Sequence, residues 1–360
     1  MFYHLKRLDW ILIASALLLV SIGLLALYSS SIGKGDFSNF RKQIIFAVIG
    51  IFLMFLFSFS DYRIFKNDHY LILTLYFVGL VSLIGLFFIA PEIRGVKSWY
   101  KIGPISIDPS EFIKLVLLIF LANYFSLRHV ELYRLYHIFI SGFYIFLPVA
   151  LIALQPNSGS ALILVILWLA VLLISGIKLK IFLSLCVLGI LIITLGWSFL
   201  LQDYQKERIM GFIIPDKDPL GINWNQAQAK IAIGSGGIFG QGFGKGSQTQ
   251  YGFLPESQTD FIFAAIAEEF GLIGVTILFL LIMTMLLRII RIAINSQSNF
   301  PRLFASGFAI LLVVQIFVNL GMNLGLLPVI GIPLPLISYG GSNLIIAFTA
   351  LGIVQNISKH

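Results

Sequence analysis

Long apolar runs dominate the chain, and short polar stretches separate them. Ten runs come close to the length of about 20 residues that a helix needs to cross a bilayer. None of them alternates polar and apolar positions as a strand does, so only helices can satisfy their backbone hydrogen bonds in lipid. The predicted spans are 9–30, 43–60, 70–90, 111–126, 138–154, 161–177, 181–201, 260–288, 303–322 and 342–358. We therefore predict an all-α integral membrane protein, a bundle of ten transmembrane helices.

The longest polar segment, residues 202–259, lies between the seventh and eighth predicted spans. We predict that it is a large extracytoplasmic loop and that residues 1–360 form one polytopic membrane domain. The first run, Trp10–Tyr28, follows Lys6 and Arg7 and has no obvious small-residue cleavage site. This pattern favours a retained signal anchor over a removed signal peptide.

The composition restricts which class of protein and which kinds of site the chain can form. Charged residues make up 11% of the chain, less than half of the roughly 25% usual in soluble proteins. Cys186 is the single cysteine, which excludes a disulfide framework, and the five histidines are scattered without metal-ligand spacing. The net charge of +8 lies in no basic soluble domain, so anionic lipid headgroups are its natural counterpart, and nucleic acid is not.

The positions of Lys and Arg predict the orientation in the membrane. An even number of spans places both termini on one side. Twelve Lys and Arg residues fall on that side and eleven on the other, so the overall count decides little. The later loops decide it, because 155–160 and 323–341 carry no Lys or Arg, whereas 178–180 and 288–302 carry five. We predict that both termini are cytoplasmic.

This orientation leaves the outer face rich in cations. One interpretation is ordinary solvated loops, neutralised by the acids of the same face: Asp203, Glu207, Asp216, Asp218 and Glu256. The other is an outward site for an anionic substrate. In the loop 91–110, Trp99 and Tyr100 stand beside Lys97 and Lys101, which is typical of an interfacial hairpin.

Two polar stretches at span ends carry candidate chemistry. Ser110 is a plausible helix N-cap, and Glu111 with Lys114 forms an i,i+3 pair on one helix face. Charges at the edge of an apolar helix are costly unless they are paired or functional, so the pair is either a structural ion pair or part of a site. Residues 155–160, QPNSGS, carry no charge and are typical of a tight turn.

Seven glycines fall within 234–246. Their spacing fits neither a P-loop nor a dinucleotide-binding fingerprint, so ATP and NAD binding are excluded as interpretations. A flexible hinge that covers a site and close backbone packing between helices both remain open.

The polar segment meets the membrane at Asp260. Ser257 and Asp260 fit a capping box at a helix start. The alternative is a functional carboxylate, kept ionised by the helix N-terminus where headgroup chemistry meets lipid. Glu268 and Glu269 lie deeper in the same span, where they are costly and need partners. Further on, the prolines and glycines of 325–341 cannot form a straight helix, and such backbone must be buried or line a cavity.

Several long motifs resemble the SEDS family of cell-wall proteins, in family order from the first span to the last. They read SWYKIGPISIDPSEFIK, LQPNSGSALI, IAIGSGGIFGQGFGKGSQTQ, FLPESQTDFIFAAIAEEFGLIG and NLGMNLGLLPVIGIPLPLISYGGS. GKGSQTQ looks like the elongation branch of the family more than the division branch. The resemblance implies a ten-helix peptidoglycan glycosyltransferase that polymerises lipid II outside the cytoplasmic membrane, with a class B penicillin-binding protein as partner.

The resemblance also implies roles for residues. The family's essential aspartate falls on Asp260, and its functional Glu and Lys fall on Glu111 and Lys114. We predict that Asp260 is the catalytic base. The predicted diphosphate- and substrate-binding residues are Lys114, Glu111, Arg208, Lys245 and Ser338. No metal ligand is assigned, and a divalent cation, Mg²⁺ or Mn²⁺, is left open.

The chain departs from the family pattern at four other positions, in or beside the quoted motifs. Asp108 stands for a usual glutamine, Asn157 for an aspartate, Gln258 for a frequent histidine and Asn343 for a small residue. Asn157 puts an acid role at that position in doubt. Two other functions remain open: a lipid II flippase, suggested by the many helices with Glu268 and Glu269, and a non-catalytic scaffold for the transpeptidase.

Overall fold

The computed structural model of the chain describes residues 7–91, 98–103, 105–128, 135–197, 203–214 and 223–359. The helices within these ranges are α1 Trp10–Lys34, α2 Ser38–Phe59, α3 Arg63–Asn67, α4 His69–Ile89, α5 Pro109–Arg128, α6 Leu135–Leu154, α7 Ser158–Ile174, α8 Leu179–Gly196, α9 Asp203–Ile213, α10 Trp224–Gly236, α11 Ser247–Gln250, α12 Ile262–Asn295, α13 Asn299–Leu324 and α14 Gly341–Ile357. The predictions that involve Lys6, Arg94, Lys97, Arg134, Asp216, Lys217, Asp218, His4, His129 and His360 lie outside the described residues.

Each of the ten predicted spans contains a long helix in the described part of the chain. Eight of these helices are long and apolar enough to cross a membrane: α1, α2, α4, α5, α6, α8, α12 and α13. The apolar helices α7 and α14 are shorter, with 17 residues each. Large apolar side chains cover the outside of the bundle, as expected where lipid replaces water; Phe88 is 84% exposed and Phe139 is 74% exposed.

The centre of the bundle is formed by α5 and α13, whose sides are mostly buried. α13 packs against α5, α7, α10 and α12. α14 packs along α2, and α12 packs along α1, so the first and last spans close the bundle around these central helices. The polar helices α9, α10 and α11 occupy the predicted loop 202–259 and lie at the end of the bundle where α5, α7, α12 and α14 begin.

The eighth span differs from its predicted bounds, because α12 begins at Ile262 rather than 260 and continues to Asn295 rather than 288. It is also broken at Gly271, whose φ of 63° and ψ of −162° are not helical. The glycine-rich segment lies directly against the break. The backbone N of Gly240 approaches so closely that a Cβ on Gly271 would lie 2.3 Å from it. At this point the glycines serve close packing between backbones.

A small hairpin precedes α5. Strand β1, Tyr100–Ile102, pairs antiparallel with β2, Ile105–Ile107, and the hydroxyl of Tyr100 donates a hydrogen bond of 2.6 Å to the carbonyl of Ser82 on α4. The loop 91–110 thus contains the expected hairpin, and the hydroxyl of Tyr100 anchors it to α4.

Candidate active site

Asp260 lies directly before α12, and its backbone is clamped by two buried asparagines of α13. The amides of Asn319 and Asn323 donate hydrogen bonds of 3.0 and 2.9 Å to the carbonyl oxygen of Asp260. The two asparagines are one helical turn apart, so both face the same point. The clamp acts on the backbone carbonyl of Asp260, and the residue as a whole is half-buried.

The predicted capping box at this helix start is wrong. The N-cap position is Phe261, which makes no side-chain cap, and the buried Ser257 hydroxyl has no hydrogen-bond partner among the described atoms. The Oδ1 atom of Asn323 accepts the N–H of Ala264 instead, at 3.2 Å. A side chain from another helix therefore satisfies an N-terminal donor of α12. Asn319 and Asn323, polar residues four apart in an apolar span, were the missed signal.

The irregular segment 328–340 packs against the loop that carries Asp260. The hydroxyl of Ser338 donates to the carbonyl of Thr259 at 2.7 Å and accepts the N–H of Leu334 at 2.8 Å. The N–H of Tyr339 donates to the carbonyl of Gln258 at 2.8 Å. Since its one proton is already donated, the geometry of Ser338 supports a role in holding Asp260 in place rather than direct contact with a diphosphate.

Arg208 and Asp260 both reach the same short stretch of this segment. One guanidinium nitrogen of Arg208, on α9, donates to the carbonyl of Val329 at 3.3 Å. A Cβ added to Gly331, which has a φ of 72°, would lie 3.7 Å from Asp260 Oδ2. The predicted base and one predicted diphosphate ligand thus both approach residues 329–331.

Glu111 and Lys114 form a buried ion pair. The Nζ of Lys114 lies 2.6 Å from Glu111 Oε1, and the amide of Asn343 donates to Glu111 Oε2 at 3.1 Å. Lys114 is 2% exposed and Glu111 8%. The two side chains therefore form an ion pair, as the sequence predicts, and the ammonium group of Lys114 is buried. Asn343 compensates the second carboxylate oxygen, as a buried charge requires.

Helix α7 lies between the start of α5, which carries this pair, and the irregular segment 328–340, and it contacts both. The hydroxyl of Ser110 donates to that of Ser160 at 3.3 Å. Gly159 packs so closely against the segment that a Cβ on it would lie 2.8 Å from the carbonyl oxygen of Ile330. Residues 328–343, which are the irregular segment and the first residues of α14, therefore contact both the Asp260 loop and the Glu111–Lys114 pair.

Asp108, not Ser110, caps α5. Its carboxylate accepts the N–H of Ser110 at 2.8 Å, and Pro109 takes the first helical position, where its missing N–H is no loss. Burial, together with the neighbouring charge of Glu111, raises the pKa of Asp108 to about 6. Asn157 likewise caps α7, by accepting the N–H of Ser160 at 3.2 Å. At position 157 the amide oxygen suffices for capping, and no charge is needed.

Glu268 and Glu269 each accept several hydrogen bonds from neighbouring segments. Glu268 accepts the N–H groups of Gln248 and Thr249 at 2.6 and 3.0 Å and the hydroxyl of Thr249 at 2.7 Å. Glu269 accepts the hydroxyl of Ser29, on α1, and the amide of Gln250 at 3.1 Å. The two buried carboxylates thus fasten residues 241–250 to α12.

Lys245 belongs to this fastened turn. Its side chain is exposed, and its N–H donates to the carbonyl of Gly242 at 3.1 Å. In the described part of the chain, no contact of Lys245 reaches the segment 328–343. The structure brings Asp260, Arg208, Ser338, Glu111 and Lys114 around that segment and leaves Lys245 beside the glutamates.

We expect Glu268→Ala to release residues 247–250. The two backbone donors and the threonine hydroxyl would lose a charged acceptor, at a cost of at least about 3 kcal/mol. Hydrogen exchange should show amide protection at Gln248 and Thr249 falling while that of α5 is unchanged. The matched control is Glu207→Ala, which removes an exposed acid on α9. Equal protection of 247–250 in both variants would contradict the fastening role.

The chain is similar to known proteins over almost its whole length. A family model described as a cell cycle protein, covering FtsW, RodA and SpoVE, matches residues 9–360. The peptidoglycan glycosyltransferase MrdB of Escherichia coli K12 is 40% identical over 286 residues, which cover 79% of this chain and 77% of that protein. The peptidoglycan glycosyltransferase RodA of Treponema pallidum is 32% identical and covers 98% of both chains.

Two solved structures have similar folds. A chain from a study of the structural coordination of polymerization and crosslinking by a peptidoglycan synthase complex superposes with a TM-score of 0.82, at 31% identity over 98% of this chain and 97% of that one. The rod shape determining protein RodA of Thermus thermophilus superposes with a TM-score of 0.73, at 29% identity over 98% of this chain and 96% of that one.

Proposed function

Because this chain belongs to the FtsW, RodA and SpoVE family, we propose that it is a peptidoglycan glycosyltransferase that joins lipid II units into glycan strands during cell elongation. The observation that carries the proposal is the position of Asp260. Its carboxylate stands at the polar end of a membrane bundle, and its backbone is clamped by Asn319 and Asn323. Because its backbone is fixed at this end of the bundle, Asp260 can approach a lipid-linked sugar in a defined orientation.

In the proposed reaction, Asp260 is the general base. It accepts the proton of the acceptor sugar's 4-hydroxyl while that oxygen attacks the anomeric carbon of the donor. The bond between that carbon and the phosphate oxygen breaks, and the lipid diphosphate leaves with increased negative charge. Arg208 is the proposed ligand for that charge, because its guanidinium group bonds to Val329, two residues from the Gly331 that Asp260 approaches.

The other residues predicted to bind the diphosphate or the substrate have different roles in the proposed mechanism. Lys114 is covered, so it acts on the diphosphate only if substrate opens the Glu111 pair. Ser338 positions the loop, and Lys245 keeps a role only for substrate that extends across the turn 241–250. A divalent cation, Mg²⁺ or Mn²⁺, is also part of the proposal. No cluster of three or more His, Cys, Asp or Glu side chains occurs among the described residues, so the diphosphate would supply part of its oxygen ligands.

We also propose that the chain crosses the membrane ten times and that α7 and α14 are the two shortest membrane-spanning helices. Seventeen helical residues extend about 26 Å, a little less than the roughly 30 Å of a hydrocarbon core. Irregular, partly buried chain adjoins both helices, at 155–157 and 328–340, and would supply the missing depth. Residues 1–360 then form one domain with 202–259 outside and both termini in the cytoplasm, as the Lys and Arg of 178–180 and 288–302 favour.

The proposed partner is a class B penicillin-binding protein that crosslinks the new strands. The similar chain from a peptidoglycan synthase complex supports it. Relatives named FtsW are also similar to this chain, at 32–34% identity. The proposal of a role in cell elongation, and not in division, therefore rests on the MrdB and RodA matches and on the GKGSQTQ segment.

The test is reconstitution of the purified chain with lipid II, alone and with a class B penicillin-binding protein. We expect a ladder of glycan strands on a gel. Movement of lipid II across a vesicle without polymer would indicate a transporter. Polymer that requires only the partner's presence, and not this chain's Asp260, would indicate a scaffold.

A further inference from the structure

Helices α1 and α12 are joined near both of their ends, and the two joints mark the edges of an apolar layer. At one end, Arg288 forms an ion pair of 2.6 Å with Asp9, the N-cap of α1. At the other end, the hydroxyl of Ser29 donates a hydrogen bond to the carboxylate of Glu269. Between the joints neither helix contains Asp, Glu, Lys or Arg. Residues 10–29 extend about 28 Å as an α-helix, close to the roughly 30 Å of a hydrocarbon core. The Glu269 joint therefore lies at one edge of that core.

The glycine-rich turn crosses this edge. The N–H of Gly242 donates to the carbonyl of Glu269 at 3.0 Å, so this part of the turn lies level with the joint. The N–H of Ile273 donates to the carbonyl of Ile238 at 3.2 Å. Ile273 lies about one helical turn, roughly 5 Å, further along α12 toward its other joint. Ile238 and the next residue, Phe239, which we call the turn tip, are thus placed on the hydrocarbon side of the edge.

The turn tip is apolar and uncovered. Ile238 is 60% exposed and Phe239 is 79% exposed. On the adjoining part of α12, Leu272 and Ile273 are 59% and 46% exposed. Ile273 lies on the same helix face as Leu280, seven residues further on, which is 62% exposed. The apolar surface of the turn tip therefore adjoins the side of α12 that lipid covers. Such a patch is unfavourable against water and favourable against acyl chains.

The aromatic residues beside the turn have the same level in the bundle. Tyr28, directly before Ser29, stacks on Phe243 of the turn with the ring centroids 6.2 Å apart. Both rings are partly exposed, at 40% and 43%. Tyrosine is enriched where hydrocarbon meets headgroups. This pair therefore supports the position of the edge that the two joints give.

We propose that the turn tip inserts among the acyl chains of the outer leaflet and anchors the glycine-rich turn to the membrane. The choice of leaflet rests on the orientation in the proposed function, whereas the insertion does not depend on glycosyl transfer. Gly240 allows the turn to lie this close to α12, because a Cβ there would be 2.1 Å from the carbonyl oxygen of Glu269. Since Glu268 and Glu269 also hold 247–250, lipid contact at the tip helps to fix the height of that segment above the membrane.

Spin labelling of the full-length chain tests the insertion. Cys186, the single cysteine, is replaced by serine, and a label is attached to Phe239→Cys or, separately, to Ile238→Cys. The protein is reconstituted into vesicles of phosphatidylethanolamine and phosphatidylglycerol. Oxygen concentrates in hydrocarbon, whereas a water-soluble nickel chelate is excluded from it. We expect both labels to collide often with oxygen and to lose most collisions with nickel.

Two positions supply matched controls for these labels. Leu280→Cys lies on the lipid-facing side of α12, and its label should resemble those at the turn tip. Gln297→Cys lies in the exposed turn between α12 and α13, and its label should collide freely with nickel. The ratio of oxygen to nickel collisions at Phe239→Cys should match that at Leu280→Cys.

Three results would overturn the proposal. Nickel collisions at the turn tip as frequent as at Gln297→Cys would place it in water. Protection from both oxygen and nickel would mean that protein covers it. Protection from nickel that appears only when a class B penicillin-binding protein is added would make the tip a protein interface. The variant Asp260→Asn should show the same protection as the unaltered chain, so a protein that makes no polymer can still pass or fail this test.

Discussion

Asp260→Asn abolishes glycan polymerisation while the protein stays folded, if Asp260 is the base. Loss of a general base costs about 10²- to 10⁴-fold in rate. The substitution keeps the size of the side chain, and the clamp from Asn319 and Asn323 grips the backbone carbonyl, which is unchanged. The thermal unfolding temperature in detergent should therefore stay close to that of the unaltered chain, and the lipid II ladder should disappear.

The matched control is Glu256→Gln, which removes a carboxylate from the same loop. Glu256 accepts the hydroxyl of Thr259 at 3.0 Å, and a glutamine oxygen can accept the same bond. We expect this variant to polymerise lipid II at close to the normal rate. A full ladder from Asp260→Asn would refute the base assignment. Equal loss of activity in both variants would mean that the negative charge of the loop, rather than Asp260 itself, is what matters.

Much of the fold could be predicted from the sequence because lipid restricts what a backbone can do. Apolar runs of the right length must be helices, and all ten predicted runs contain one in the described part of the chain. The break in α12 could not be predicted, since it depends on Gly240 and Gly271 meeting across 31 residues of chain. Local patterns also misassigned two caps, because Asn323 reaches Ala264 from another helix and Asp108 precedes Ser110.

The candidate site was predictable in its residue types more than in its geometry. A carboxylate at a membrane junction and an i,i+3 ion pair are both visible in the sequence. That residues 328–343 contact both of them is a tertiary fact, which requires the folded positions of Gly159, Gly331 and Asn343. The same holds for Glu268 and Glu269, whose position inside a span suggested transport and whose carboxylates accept hydrogen bonds from the loop 247–250.

Lys114→Met is expected to destabilise the protein strongly and also to reduce glycan polymerisation. Removal of one partner from a buried ion pair leaves the other charge without compensation, which typically costs about 3–5 kcal/mol. Glu111 would keep only the amide of Asn343, at 3.1 Å, as a partner for its carboxylate in the described structure. The thermal unfolding temperature of the purified protein should fall well below that of Asp260→Asn, and the two defects should therefore be distinguishable.

The double variant Lys114→Met with Glu111→Gln separates structure from function at this pair. It removes both charges together, and neutral replacement of a whole buried pair is often tolerated. The glutamine oxygen can still accept from Asn343, so most of the lost stability should return. If Lys114 reaches the diphosphate during the reaction, the stable double variant will still make little or no polymer. A double variant that is both stable and active would reduce the pair to a structural ion pair and leave Arg208 as the principal candidate for the leaving charge.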